Sequence, residues 1–146
     1  MVTYIHYGHK EFDINKFMVP KNRQFLNKPL GGLWASKTDT EFGWKDWCEK
    51  EDYSFCDRNQ SFMFKISDNA NVIYINCVED VKKLPDQKTD LSLTCIKTVD
   101  FEQLIDDGVD AIEFNISMDW GLYMALYGWD CDSMLVLNPD VIEVIK

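Results

Sequence analysis

An α+β fold, mainly antiparallel sheet with short helices, is what this sequence predicts, and three observations predict it. Strand-like and helix-like segments follow one another without the regular βαβ alternation of a parallel sheet, no internal repeat occurs, and no Ser-, Pro- or Gly-rich linker divides the chain. The 146 residues therefore read as a single domain, 1–146. At that length folding removes about 70% of the unfolded chain's surface from water, enough for one proper core.

Val2 to Tyr7 carry β-prone residues in alternation and end at Gly8, as a strand running into a turn does. A polar stretch from Lys21 to Pro29 leads to Gly31-Gly32-Leu33-Trp34-Ala35-Ser36, where two glycines permit a tight turn or close backbone approach. Thr38 and Glu41 have capping-box spacing, with Trp44, Trp47, Cys48 and Glu51 at helical intervals behind them. Ser61 to Ser67 and Val72 to Asn76 read as strands joined by turn formers Asp68 to Asn71, which predicts a hairpin.

Glu79 to Leu84 predict a turn or two of helix stopped by Pro85. Asp100 and Gln103 form a second capping-box pattern, Phe101, Leu104 and Ile105 supply an apolar face, and Gly108 is placed as the stop. Val109 to Asn115 and Ser133 to Asn138 read as strands around an aromatic segment containing Trp120, Tyr123, Tyr127 and Trp129. Val141 to Ile145 can form a last strand.

Composition narrows the function. With 46% hydrophobic and 14% aromatic residues the chain is not of disordered type. A formal net charge of −10 repels a polyphosphate backbone, which argues against nucleic acid and favours a partner with a basic surface. Cys48, Cys56, Cys77, Cys95 and Cys131 are odd in number and never spaced C-x-x-C, so neither a disulfide framework nor a zinc site is expected. The N-terminus lacks a basic and apolar leader pattern, and no run reaches the ~18 apolar residues a span needs, so a cytoplasmic protein without membrane contact is expected.

No G-x-S-x-G elbow, Walker loop or G-x-G-x-x-G fingerprint is present. His6 and His9, the two histidines, stand three apart and would face opposite sides of a strand unless the turn at Gly8 reorients His9, so no metal is expected.

Three pieces in order carry a resemblance: His6-Tyr7-Gly8, then Gly32-Leu33-Trp34-Ala35-Ser36, then Asp130-Cys131-Asp132-Ser133 ahead of Met134-Leu135-Val136-Leu137-Asn138-Pro139. This resembles the ADP-ribosyltransferase superfamily, in its branch with a His, an aromatic and an acidic residue on three separated strands. The resemblance implies an ADP-ribosyltransferase-like fold and NAD as substrate. His6 would hydrogen-bond the adenosine ribose, the backbone at Gly8 or Tyr7 would hold the nicotinamide carboxamide, Trp34 would stack on the nicotinamide ring, and Ser36 would support the pocket. A Trp face offers a pyridinium ring cation–π attraction of about 0.5 to 2 kcal/mol.

Cleavage of the nicotinamide bond builds oxocarbenium-like charge that a carboxylate stabilises. The family's acidic position falls on Ser133, so the acid would come from Asp132, Asp130 or Asp119, in that order, or be lost. Tyr7 between His6 and Gly8, and His9 where Ser or Thr is common, also depart from the pattern. The resemblance thus implies an NAD-dependent mono-ADP-ribosyltransferase acting on a protein or small-molecule acceptor. The two rival readings are a non-catalytic nucleotide- or protein-binding module of the same fold and a small acidic inhibitor of a basic partner.

Overall fold

The computed structural model describes residues 1–23, 26–52, 56–87, 97–126 and 128–146. Its strands and helices, in chain order, are β1 (Tyr4–Tyr7), β2 (Lys21–Arg23), β3 (Leu26–Leu30), β4 (Leu33–Lys37), α1 (Trp44–Lys50), β5 (Ser61–Ile66), β6 (Val72–Ile75), α2 (Val78–Val81), α3 (Phe101–Asp106), β7 (Ala111–Phe114), α4 (Gly121–Ala125), β8 (Ser133–Val136) and β9 (Ile142–Val144). The fold is α+β. Tyr127 and Cys95 of the sequence reading lie outside the described residues.

One seven-stranded sheet runs β6-β7-β8-β4-β1-β5-β9, and β2 and β3 form a separate pair. All neighbours are antiparallel except β6 and β7. The expected hairpin between Ser61 and Asn76 does not form. Both strands exist, but β5 pairs with β1 and β9 while β6 pairs in parallel with β7, Ile73 opposite Ile112. The reason lies in burial. β7 is buried along its whole length and offers β6 an apolar partner, whereas the free edge of β5 is taken by β9.

The connection from Ile66 to Val72 makes only six Cα steps, at most about 21 Å. Across a flat sheet the five strand spacings between β5 and β6 would need about 24 Å. The turn closed by Ala70 N–H on the Ser67 carbonyl shortens the reach further, so the sheet curls.

Curling gives two cores, and strand alternation assigns residues to them. Inside the curl pack Tyr4, Leu33, Ala35, Phe62, Phe64, Ala111, Met134 and Val136. On the other face Ile75, Ile112, Phe114, Leu135 and Trp129 pack with α2, α3 and α4 through Val81, Phe101, Leu104 and Leu122.

Local signals place the helices. Asp100 accepts from the Gln103 N–H at the start of α3, and Gly108 stands at φ +82° after its end, as the sequence predicts. α2 ends before Pro85. For α1 the sequence expects a start near Thr38, but the helix begins at Trp44 behind Gly43, whose N–H is held by Asp46. Thr38 belongs to the end of β4, where its N–H reaches the Thr3 carbonyl.

Candidate functional site

β1 and β4 are neighbours at the centre of the sheet, and this places the three-residue stretch beginning at His6 beside Trp34. His6 pairs with Phe62 across β1 and β5, which directs its side chain to the inside of the curl. Trp34 pairs with Leu135 and packs on the opposite face. The two rings therefore do not meet face to face. They are linked instead by a hydrogen bond of 2.7 Å between His6 Nδ1 and the Trp34 carbonyl.

That bond fixes one proton of His6. A carbonyl can only accept, so Nδ1 carries the proton and Nε2 is left as an acceptor in the neutral ring. His9 Nδ1 lies 3.0 Å from Nε2 and donates to it. Gly8, at φ +118°, turns the chain so that His9 stacks on His6 with centroids 5.3 Å apart, where a regular strand would put the two rings on opposite sides. Burial lowers the His6 pKa from its ordinary value, the Trp34 carbonyl opposes this, and His9 adds to the lowering. Among the described residues no group of three or more His, Cys, Asp or Glu side chains is placed to hold a metal ion.

An aromatic cavity of about 270 Å³ lies beside this junction, lined by His6, Tyr7, Lys28, Trp34, Trp44 and Cys56. Trp34 and Trp44 meet edge to face at 84° with centroids 6.4 Å apart, and Trp129 backs Trp34 at 4.8 Å. Trp129 itself is core, fully buried with its indole N–H on the Asn27 carbonyl. Lys28 Nζ stands 5.0 Å from the centre of the Trp44 ring and 3.4 Å from Asp130. The indole N–H of Trp44 is buried and, among the described residues, has no hydrogen-bond acceptor. Tyr7 and Trp44 also border a wider groove of about 810 Å³.

Ser36 acts as a bracket. Its hydroxyl accepts from the Trp44 N–H at 2.9 Å and donates to the Asp132 carbonyl at 3.1 Å, tying β4 to the start of α1 and to the entry of β8. The three candidate acids differ in what holds them. Asp132, 7% exposed, accepts from the Ser117 N–H, the Ser117 hydroxyl and the Thr40 hydroxyl. Asp119 accepts from the N–H groups of Gly121 and Val78, joining α4 to α2. Asp130 pairs with Lys28, a residue of the cavity lining. Ser133 is buried, with its hydroxyl on the Cys131 carbonyl.

The sequence reading misses Glu113. This carboxylate, 3% exposed on β7, accepts from the Tyr4 hydroxyl at 2.5 Å, from Lys37 Nζ at 2.8 Å and from the Asn115 amide at 3.0 Å. Burial and the Glu113 carboxylate push the Tyr4 phenol far above its ordinary range. The available signal was one acid inside the otherwise apolar run Ala111-Ile112-Glu113-Phe114.

Comparison with family models, curated proteins and solved structures finds no match to the chain. What the site does is therefore argued from its own geometry. Among the described residues no helix is long and apolar enough to cross a membrane.

Proposed function

We propose that the chain is a nucleotide-binding module of the ADP-ribosyltransferase-like kind, which takes the nicotinamide end of NAD in the cavity between Trp34 and Trp44. The observation that carries this reading is the pair of indole rings, Trp34 and Trp44, that line the cavity together with His6, Tyr7 and Lys28. Indole walls give a pyridinium ring apolar contact and cation–π attraction of about 0.5 to 2 kcal/mol.

Size agrees. A cavity of about 270 Å³ suits a single ring rather than a whole dinucleotide. The adjoining groove has room for the remainder; its lining sets Lys10 and Arg58 beside Glu11 and Asp46, while Lys37 and Lys45 are paired with Glu113 and Glu49. His6 borders the cavity from β1, but with both ring nitrogens occupied it serves to hold the β1–β4 junction rather than to grip a ribose.

Binding without turnover is favoured because Asp132 and Asp119 are committed to the fold and Ser133 carries no charge. One observation supports transferase activity as a second reading: Asp130 pairs with Lys28, which lines the cavity. In that reading Asp130 stabilises the ribosyl cation, and the acidic surface suits a basic protein acceptor.

The two readings part on one experiment. NAD titrated into the protein should quench tryptophan fluorescence, with affinity at least tenfold weaker in Trp34→Ala. Nicotinamide release should be absent under the first reading, and present and lost in Asp130→Asn under the second. No binding of NAD, ADP-ribose or nicotinamide would remove both.

A further inference from the structure

We infer that Cys48 and Cys56 are a redox pair, joined reversibly by a disulfide that fastens the chain entering the Arg58–Gln60 turn to α1 along the wall of the aromatic cavity. Their sulfurs lie 2.9 Å apart, so reaching the ~2.05 Å of an S–S bond asks for a shift of about 0.9 Å. Cys48 is buried on α1 at 1% exposure, whereas Cys56 is partly exposed and lines the cavity. The Cys56 sulfur also lies 3.6 Å from the Trp44 carbonyl, so the bond would hold the cavity wall next to the Trp44 ring. Cys131 faces the Ser133 hydroxyl at 3.6 Å.

The chemistry is thiol–disulfide exchange with a small-molecule disulfide as oxidant. The accessible Cys56 thiolate attacks that disulfide, forming a mixed disulfide and releasing one small thiol. Cys48 then attacks the Cys56 sulfur and expels the second. Both protein protons end on the two released thiols, the protein loses two electrons, and the oxidant gains them.

Burial pushes the Cys56 thiol up to about 12, with the Cys48 contact adding to the rise. The titratable groups facing it are Cys48 and Glu49 of α1, Cys131 ahead of β8 and Tyr7 of β1. At neutral pH Cys56 is therefore a thiol, and exchange speeds up as its thiolate fraction grows, about tenfold per pH unit.

The test incubates the whole protein with oxidised glutathione at pH 7, 8 and 9 and maps peptides without reduction. A Cys48–Cys56 crosslink is expected, reversed by dithiothreitol, with a rate still rising at pH 9. Cys48→Ser should instead retain glutathione on Cys56. A stable glutathione adduct on wild-type Cys56 or a Cys56–Cys131 crosslink overturns the inference. The bond does not depend on the nucleotide reading. A crosslink in a protein that ignores NAD in both redox states removes that reading and leaves the disulfide, and NAD binding without a crosslink does the reverse.

Discussion

Asp132 accepts three hydrogen bonds from Ser117 and Thr40, and this determines what its replacement does. Asp132→Ala removes the acceptor of the Ser117 N–H and of the Ser117 and Thr40 hydroxyls. Because Ser117 is exposed and Thr40 half-buried, water takes up part of the loss, and the fold should lose about 1 kcal/mol, read as a lower denaturant midpoint at unchanged slope. Ligand affinity in the folded fraction should stay as in the wild type. His6 makes a second prediction at this scale. Its folded pKa lies below the ordinary value of 6.5, so protonation favours the unfolded chain. The sign follows directly: the contribution is whole above pH 6.5 and is lost as pH falls from there through the lower folded value. The wild type should therefore lose up to about 1.4 kcal/mol per pH unit relative to His6→Gln below that point, measured by urea unfolding at stepped pH. Parallel curves for the two proteins would contradict it.

Helix α1 is the element that brings Trp44 to the cavity, and Ser36 is what docks it. The Ser36 hydroxyl serves the Trp44 N–H where Gly43 has no side chain to cap the helix. Ser36→Ala should cost about 1 kcal/mol of stability, and it should also weaken NAD binding, because Trp44 is positioned through that bond. A variant that melts earlier yet binds NAD as the wild type does would separate the helix anchor from the site.

Elements of this kind were legible where a signal is local. Asp100 with Gln103 and Gly108 mark both ends of α3, and Phe62, Phe64 and Ile66 mark one face of β5. Partner choice was not legible. Nothing between Ser61 and Asn76 says that β6 leaves its neighbour for Ala111–Phe114, because that preference depends on the burial of a strand nearly forty residues away.

Across the whole molecule, Tyr4 of β1, Lys37 of β4 and Glu113 of β7 meet inside the curl, tying three strands together with one carboxylate. Glu113→Ala takes the acceptor from Tyr4 and leaves Lys37 with the Asn115 side-chain oxygen in place of a carboxylate. The loss should be about 3 kcal/mol, the low end for a broken buried pair, since the Lys37 side chain is 31% exposed and water screens it. Glu113→Gln should restore part of this. Of the site, the sequence points to His6 and Trp34, which lie on adjacent strands and are joined through the Trp34 carbonyl, but the pairing that sends their side chains to opposite faces of the sheet is not legible in it. Trp44 and Cys56 complete the cavity from segments whose placement only the tertiary fold decides.

The central claim is that the Trp34–Trp44 cavity receives the nicotinamide ring of NAD, and calorimetric titration of NAD into wild type, Trp34→Ala and Trp44→Phe tests it most directly. The account predicts saturable binding by the wild type and at least tenfold weaker binding, about 1.4 kcal/mol, in each variant, Trp44→Phe trading the indole wall for a smaller ring. Equal affinity in all three, or no heat with the wild type up to about 1 mM NAD, would contradict it.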